Sequence, residues 1–172
     1  MIEPGMIEAE VPHLRRYARA LLRDREAADD LVQDTLERAW RKRHLWRPHG
    51  RLRGWLFRVL YRLYLDGHPA PTRDREKLIA LDTVALDPRD RSASNGLRLH
   101  CRDVLAAMDR LSPEHRAILM LAALEQPSYR DGARMLGIRV GTFRSRLSRA
   151  RQQLNELMQA EPDTPPLAAA RR

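Results

Sequence analysis

Apolar residues recur at helical spacing along most of the chain. His13–Arg23 places Leu14, Tyr17, Ala18, Leu21 and Leu22 on one face, and Asp24–Arg43 does the same with Ala28, Leu31, Val32, Thr35, Leu36, Ala39 and Trp40. A loop from His44 to Gly50 holds Trp46 and Pro48. The pattern resumes over Leu52–Asp66, with Leu52, Trp55, Leu56, Val59, Leu60 and Leu63 as core candidates, and stops at Gly67-His68-Pro69. Residues 67–96 then lose periodicity: prolines, mixed charge and Ser-Ala-Ser-Asn-Gly mark a linker, within which only Leu78–Leu86 is weakly apolar. Helical spacing returns at Leu97–Leu111, with Leu105 and Met108 inward. Ser112-Pro113-Glu114 is a helix start, Ser as cap and Pro in the first turn, for a helix carrying Ala117, Ile118, Leu121 and Leu124. Ser128 with Asp131 resembles a capping box, Gly137 breaks the pattern, and Phe143, Leu147, Ala150 and Leu154 stripe the last helix. The expected fold is all-α: two small helical domains, residues 1–66 and 97–160, joined by a flexible linker, 67–96, with a disordered tail, 161–172.

Charge changes the picture by its placement. The 172 residues carry a formal net charge of +9, which suits a polyanionic partner or simply a soluble basic surface. From Arg134 to Asn155, however, there are six arginines and no acidic residue. With residues about 100° apart around the last helix, Ser145, Ser148, Arg149 and Gln152 oppose the apolar stripe. Arg144 and Arg151 flank one side, Arg146 and Gln153 the other. Arginine can pair bidentately with guanine, Ser and Gln suit base edges or phosphates, and Thr142 at the helix start can donate to a phosphate. A short basic helix held by another across a tight turn is the geometry of a major-groove reader; the competing reading is an ordinary solvated face.

Two further patterns stand out. Asp30, Asp34 and Glu37, with Gln33 beside them, form an acidic stripe opposite the apolar face of the second helix. Such a stripe repels DNA and fits a cationic protein surface, unless it is spent on local pairs, Asp34 with Arg38 and Glu37 with Arg41. On the third helix Phe57, Tyr61 and Tyr64 share a side away from the Leu52–Val59–Leu63 stripe, near Arg53. They can stack on unpaired bases or pack against the first helix.

Several classes of chemistry lack support. There is one cysteine, Cys101, so no internal disulfide is expected. The histidines are scattered without a metal spacing, and no nucleophile motif or phosphate loop is present. No metal, cofactor or enzymatic activity is expected. Neither a signal peptide nor a membrane-spanning run is visible, and a cytoplasmic location is expected.

These segments together resemble an ECF (extracytoplasmic function, group IV) sigma factor of bacterial RNA polymerase. Ala27-Ala28-Asp29-Asp30-Leu31-Val32-Gln33-Asp34-Thr35 and Leu52-Arg53-Gly54-Trp55-Leu56-Phe57 through Asp66 look like region 2. Leu111-Ser112-Pro113, Gly141-Thr142-Phe143-Arg144-Ser145-Arg146 and Arg149-Ala150-Arg151 look like region 4. The resemblance implies that Asp30, Gln33, Asp34 and Glu37 dock on the β′ clamp helices of the polymerase core. It implies that Trp46, Arg53, Tyr61 and Tyr64 engage the minus-10 element as a single strand. Region 4 would dock on the β flap and read the minus-35 element with Thr142, Arg144, Ser145, Arg146, Ser148 and Arg149. An anti-sigma protein is the further partner implied, and no membrane is. The chain departs from the family pattern at Arg62, usually Asn, at Gly132, usually Ile or Val, and after Asp66, where no basic turn follows. Gly132 predicts a loosely held supporting helix in region 4. Two rival readings stay open: a sigma-like decoy that sequesters an anti-sigma factor, and a helix-turn-helix repressor.

Overall fold

Eight α-helices and one 3-10 turn make up the described residues, 3–46, 51–68 and 95–159 of the computed structural model, and no strand lies among them. The expected linker body and tail fall on residues 69–94 and 160–172, outside the described residues. In chain order the helices are α1 (Pro4–Glu8), α2 (Val11–Leu22), α3 (Arg25–Arg41), α4 (Leu52–Gly67), α5 (Asn95–Asp109), α6 (Pro113–Glu125), α7 (Tyr129–Leu136) and α8 (Val140–Gln159), with the 3-10 turn at Arg43–Leu45.

Local chemistry sets most of these boundaries. The Asp24 carboxylate accepts the Glu26 and Ala27 amides and so caps α3. Ser112 and Ser128 cap α6 and α7 through the His115 and Asp131 amides. α7 ends at Gly137, whose φ of +67° is one that a side chain rarely adopts. The Ile138 amide reaches back to the Ala133 carbonyl there, a Schellman closure. Helix α1 was not expected from the sequence; a Pro at its first turn starts it and Ile7 is its buried residue.

The front helices α2, α3 and α4 pack on one another, and α8 packs on α5, α6 and α7. The two groups do not stand apart: α2 lies against α6, and α4 lies against α7. Their buried residues form one continuous cluster, from Leu14, Tyr17, Val32, Leu56 and Leu60 in front to Ile118, Leu121, Met135, Phe143 and Leu147 behind. Thr35, buried on α3, donates its hydroxyl to the Leu31 carbonyl of its own helix at 2.7 Å.

Two expected core assignments change. Trp40 is 43% exposed, with the Arg43 guanidinium 4.7 Å from its ring centroid. On α4 the most buried side is not the Leu52–Val59–Leu63 stripe alone. Leu52, Leu56 and Leu60 are buried, Trp55, Val59 and Leu63 are only partly so, and Phe57, Tyr61 and Tyr64 are buried with them. The physical reason is that α4 is held between α3 and the rear helices, so its buried side widens from Leu52 round to Tyr61, leaving Arg62 and Asp66 on the exposed side.

Candidate nucleic-acid and protein interfaces

Helix α8 turns its apolar stripe inward, burying Phe143, Leu147 and Ala150. That fixes the opposite face by helical geometry, and Arg144, Ser145, Ser148, Arg149 and Arg151 are exposed on it. Thr142 is half-buried near the helix start, and its carbonyl accepts the Ser145 hydroxyl at 3.2 Å. Arg144, Ser145, Ser148, Arg151 and Tyr129 border an open depression of ≈ 550 Å³. Tyr129, exposed at the head of α7, lies 5.8 Å from the Arg144 guanidinium, close enough for a cation–π contact that restrains the arginine. Nothing in the sequence pattern singled Tyr129 out; only the packing of α7 across α8 places it there.

Arg146 behaves differently from its neighbours. It is half-buried and turned toward the front helices, donating to the Tyr61 hydroxyl at 3.3 Å. The even ring of basic groups expected from helical projection is therefore split: Arg144 and Arg149 face out, and Arg146 is engaged.

The turn from α7 to α8 is supported by α4. Arg58 donates through Nε and Nη2 to the Arg134 carbonyl at 3.1 and 2.8 Å, so a guanidinium from the front of the chain caps the C-terminus of α7. Gly137 fits this contact, since a Cβ there would meet Arg58 Cδ and Nε at 3.1 Å. At the other end the Ser128 hydroxyl holds the Asp131 carboxyl below its usual value, aided by Arg51 and Arg134 and opposed by slight burial.

On α3, Asp30, Gln33, Asp34 and Glu37 are all exposed. Glu37 pairs with Arg41, one of the two local pairs expected. Among the described residues no cation pairs with Asp30 or Asp34, and the expected Asp34–Arg38 pair does not form. Asp29, one position away, is the residue spent internally, on Arg15 and Arg19.

The group proposed for a single strand is placed very differently. Tyr61 and Tyr64 are 4% and 2% exposed, buried as the packing alternative has them. Phe57 packs in a tilted arrangement against Tyr17 of α2, ring centroids 5.2 Å apart, the packing alternative raised for it. Burial raises the pKa of Tyr61 and of Tyr64, with Arg146 and Arg116 respectively opposing the rise. Arg53 is committed to Glu10 at 2.6 Å and lies 3.5 Å from Glu125. Trp46 is half-buried beside a cleft of ≈ 1080 Å³ between α4 and the α6–α7 turn. Arg62 is exposed. Among the described residues no cluster of His, Cys, Asp or Glu could hold a metal ion, and no helix is long and apolar enough to cross a membrane.

Comparison with known proteins follows this division. Residues 7–61 match the family model described as the Sigma2 domain of PhyR, and residues 101–154 match Sigma-70, region 4. The chain is 34% identical to the ECF RNA polymerase sigma factor EcfG of Rhodopseudomonas palustris (strain TIE-1), over 88% of this chain and 82% of the relative. Its fold is similar to that of the sigma factor RpoE in complex with the anti-sigma factor NepR from Bartonella quintana. The TM-score is 0.66 and the identity 29%, over 92% of this chain and 97% of that one. It is also similar to CnrH in complex with the cytosolic domain of CnrY, with a TM-score of 0.63 and 25% identity over 92% and 88% of the two chains.

Proposed function

Because the chain belongs to the ECF sigma factors of RNA polymerase, we propose that it directs the polymerase core to specific promoters through residues divided between its two ends. The front division, residues 1–66, supplies the acidic stripe for the β′ clamp helices: Asp30, Gln33, Asp34 and Glu37. The rear division, 97–160, docks on the β flap and reads the minus-35 element with Thr142, Arg144, Ser145, Ser148 and Arg149. Residues 67–96 join them. Trp46, Arg53, Tyr61 and Tyr64 serve the minus-10 strand, and an anti-sigma protein is the regulatory partner. The protein acts by binding, not by catalysis.

One observation carries this reading: a basic helix face and an acidic pair without an ion-pair partner among the described residues are exposed on the same molecule. Arg144 and Arg149 are exposed where they can meet bases and phosphates. Asp30 and Asp34 lie open on a protein whose net charge is positive, which suits a cationic protein and not a nucleic acid. Reversing both to Lys should abolish co-purification with the polymerase core while leaving the fold intact; unchanged association would reject the docking role. Alanine at Arg149 should weaken binding to the protein's own promoter more than to random duplex, and equal loss on both would reject base reading.

The decoy reading is favoured by the burial of Tyr61 and Tyr64. Run-off transcription with core polymerase separates the two, since a decoy yields no transcript.

A further inference from the structure

The side of α4 assigned to a single strand already has an occupant, the rear helices of the same chain. Tyr61 lies under Arg146 of α8. Among the groups acting on the Tyr64 hydroxyl are Arg116, Glu114 and Asp109, all from the rear. Glu125, at the last position of α6, has a side chain only 4% exposed. It receives Arg16 Nη2 at 2.7 Å and His13 Nδ1 at 3.2 Å, with Arg53 Nη1 at 3.5 Å.

A buried carboxylate at the negative end of a helix dipole is unfavourable by itself. Its burial is tolerated because the front helices bring cations to it. The buried Tyr17 hydroxyl donates across the same seam to the Ala117 carbonyl at 2.9 Å. Arg116 reaches back to the Leu21 carbonyl at 3.3 Å. Meanwhile Arg144, Arg149, Asp30 and Asp34 stay open.

We infer that this side of α4 is an interaction surface for which α6–α8 and an unpaired strand compete, and that the Glu125 cluster latches the chain closed without any second protein. The inference rests on the strand-reading part of the proposed function. Opening must separate Glu125 from its three partners before a base can reach Tyr61.

A cysteine pair tests this directly. A Cβ at Gly54 lies 3.8 Å from Met135 Cγ, so the two positions adjoin where α4 meets α7. In a Cys101→Ser chain, Gly54→Cys with Met135→Cys should cross-link in the free protein under mild oxidation. Adding Glu125→Arg, which sets a cation against Arg16 and Arg53, should slow the cross-link about tenfold. A pool of random single-stranded oligonucleotides probes the covered side: retention should rise with Glu125→Arg, vanish on oxidation and return on reduction. If the cysteine pair folds poorly, energy transfer between dyes at Ala9 and Gln159 reports the same change as a lower transfer with Glu125→Arg than in the free chain. Cross-linking or transfer that Glu125→Arg leaves unchanged overturns the latch. A chain that opens with Glu125→Arg but retains no more strand keeps the latch and overturns the strand-reading assignment of Arg53, Tyr61 and Tyr64.

Discussion

Gly132 shows how much one missing methyl can decide. It is buried on α7 against the Phe143 ring of α8, and a Cβ added there would sit 2.5 Å from Cζ and 2.7 Å from Cε2. The family-based expectation was a loose supporting helix, because Gly lacks the Ile or Val side chain. Instead the aromatic ring fills that space, and α7 approaches α8 closely. Gly132→Ala would gain about 1 kcal/mol of helix propensity. Overpacking a fixed ring typically costs about 1–3 kcal/mol, and Phe143 is 1% exposed with little room to turn. The cost wins: Gly132→Ala should lower the thermal unfolding midpoint by a few degrees, read by calorimetry. Phe143→Leu in the same chain should restore part of the loss, since the smaller side chain vacates the clash.

At the level of elements, α7 is only eight residues long, too short to persist in water on its own propensity. It is held by what caps it. Ser128 and Asp131 secure its start, visible in the sequence as a capping pattern, whereas its end depends on Arg58, seventy-six positions earlier. No local pattern reveals that second cap. Arg58→Ala should destabilise the turn by about 1 kcal/mol, measured as faster amide exchange at residues 134–138. Duplex affinity should fall as well, although Arg58 need not touch DNA. If exchange at those amides is unaltered, the guanidinium contributes nothing to the turn. The same contrast explains α4. Its periodicity announced a helix, but period alone could not show that two neighbours would enclose it. The sequence therefore left Phe57, Tyr61 and Tyr64 open between base stacking and packing, and all three are interior.

Across the whole molecule the seam between front and rear helices is lined by phenols. Burial raises the pKa of Tyr17 well above its ordinary value of 10.0, and Tyr61 and Tyr64 push in the same direction. Tyr61 and Tyr64 are themselves raised. A folded pKa above the unfolded one means the folded state holds the proton more tightly. The associated stability is complete below the ordinary tyrosine pKa and is lost as pH climbs through the folded values. The urea midpoint should therefore hold steady to about pH 9.5 and fall beyond it, with Tyr17→Phe flattening the fall; a midpoint that ignores alkali would place the phenols in water.

Helix content, the outward Arg144 and Arg149, and the open Asp30 and Asp34 were all readable from spacing, because 3.6-residue periodicity fixes which side of a single helix faces out. The seam was not, because it depends on pairs such as Tyr17 with Ala117 and Arg16 with Glu125, about a hundred positions apart. Helix α1 escaped notice for a different reason: five residues are too few to display a period.

The outward placement of Arg149 on α8 has a temporal consequence. On the roles proposed above, a protein that exposes its upstream-reading side while its strand-reading tyrosines are covered would inspect double helix before it could hold an opened bubble. Address comes before entry. Wrong sites would be abandoned cheaply, while the strands are still paired, and only a correct match would last long enough for the hidden side to be uncovered.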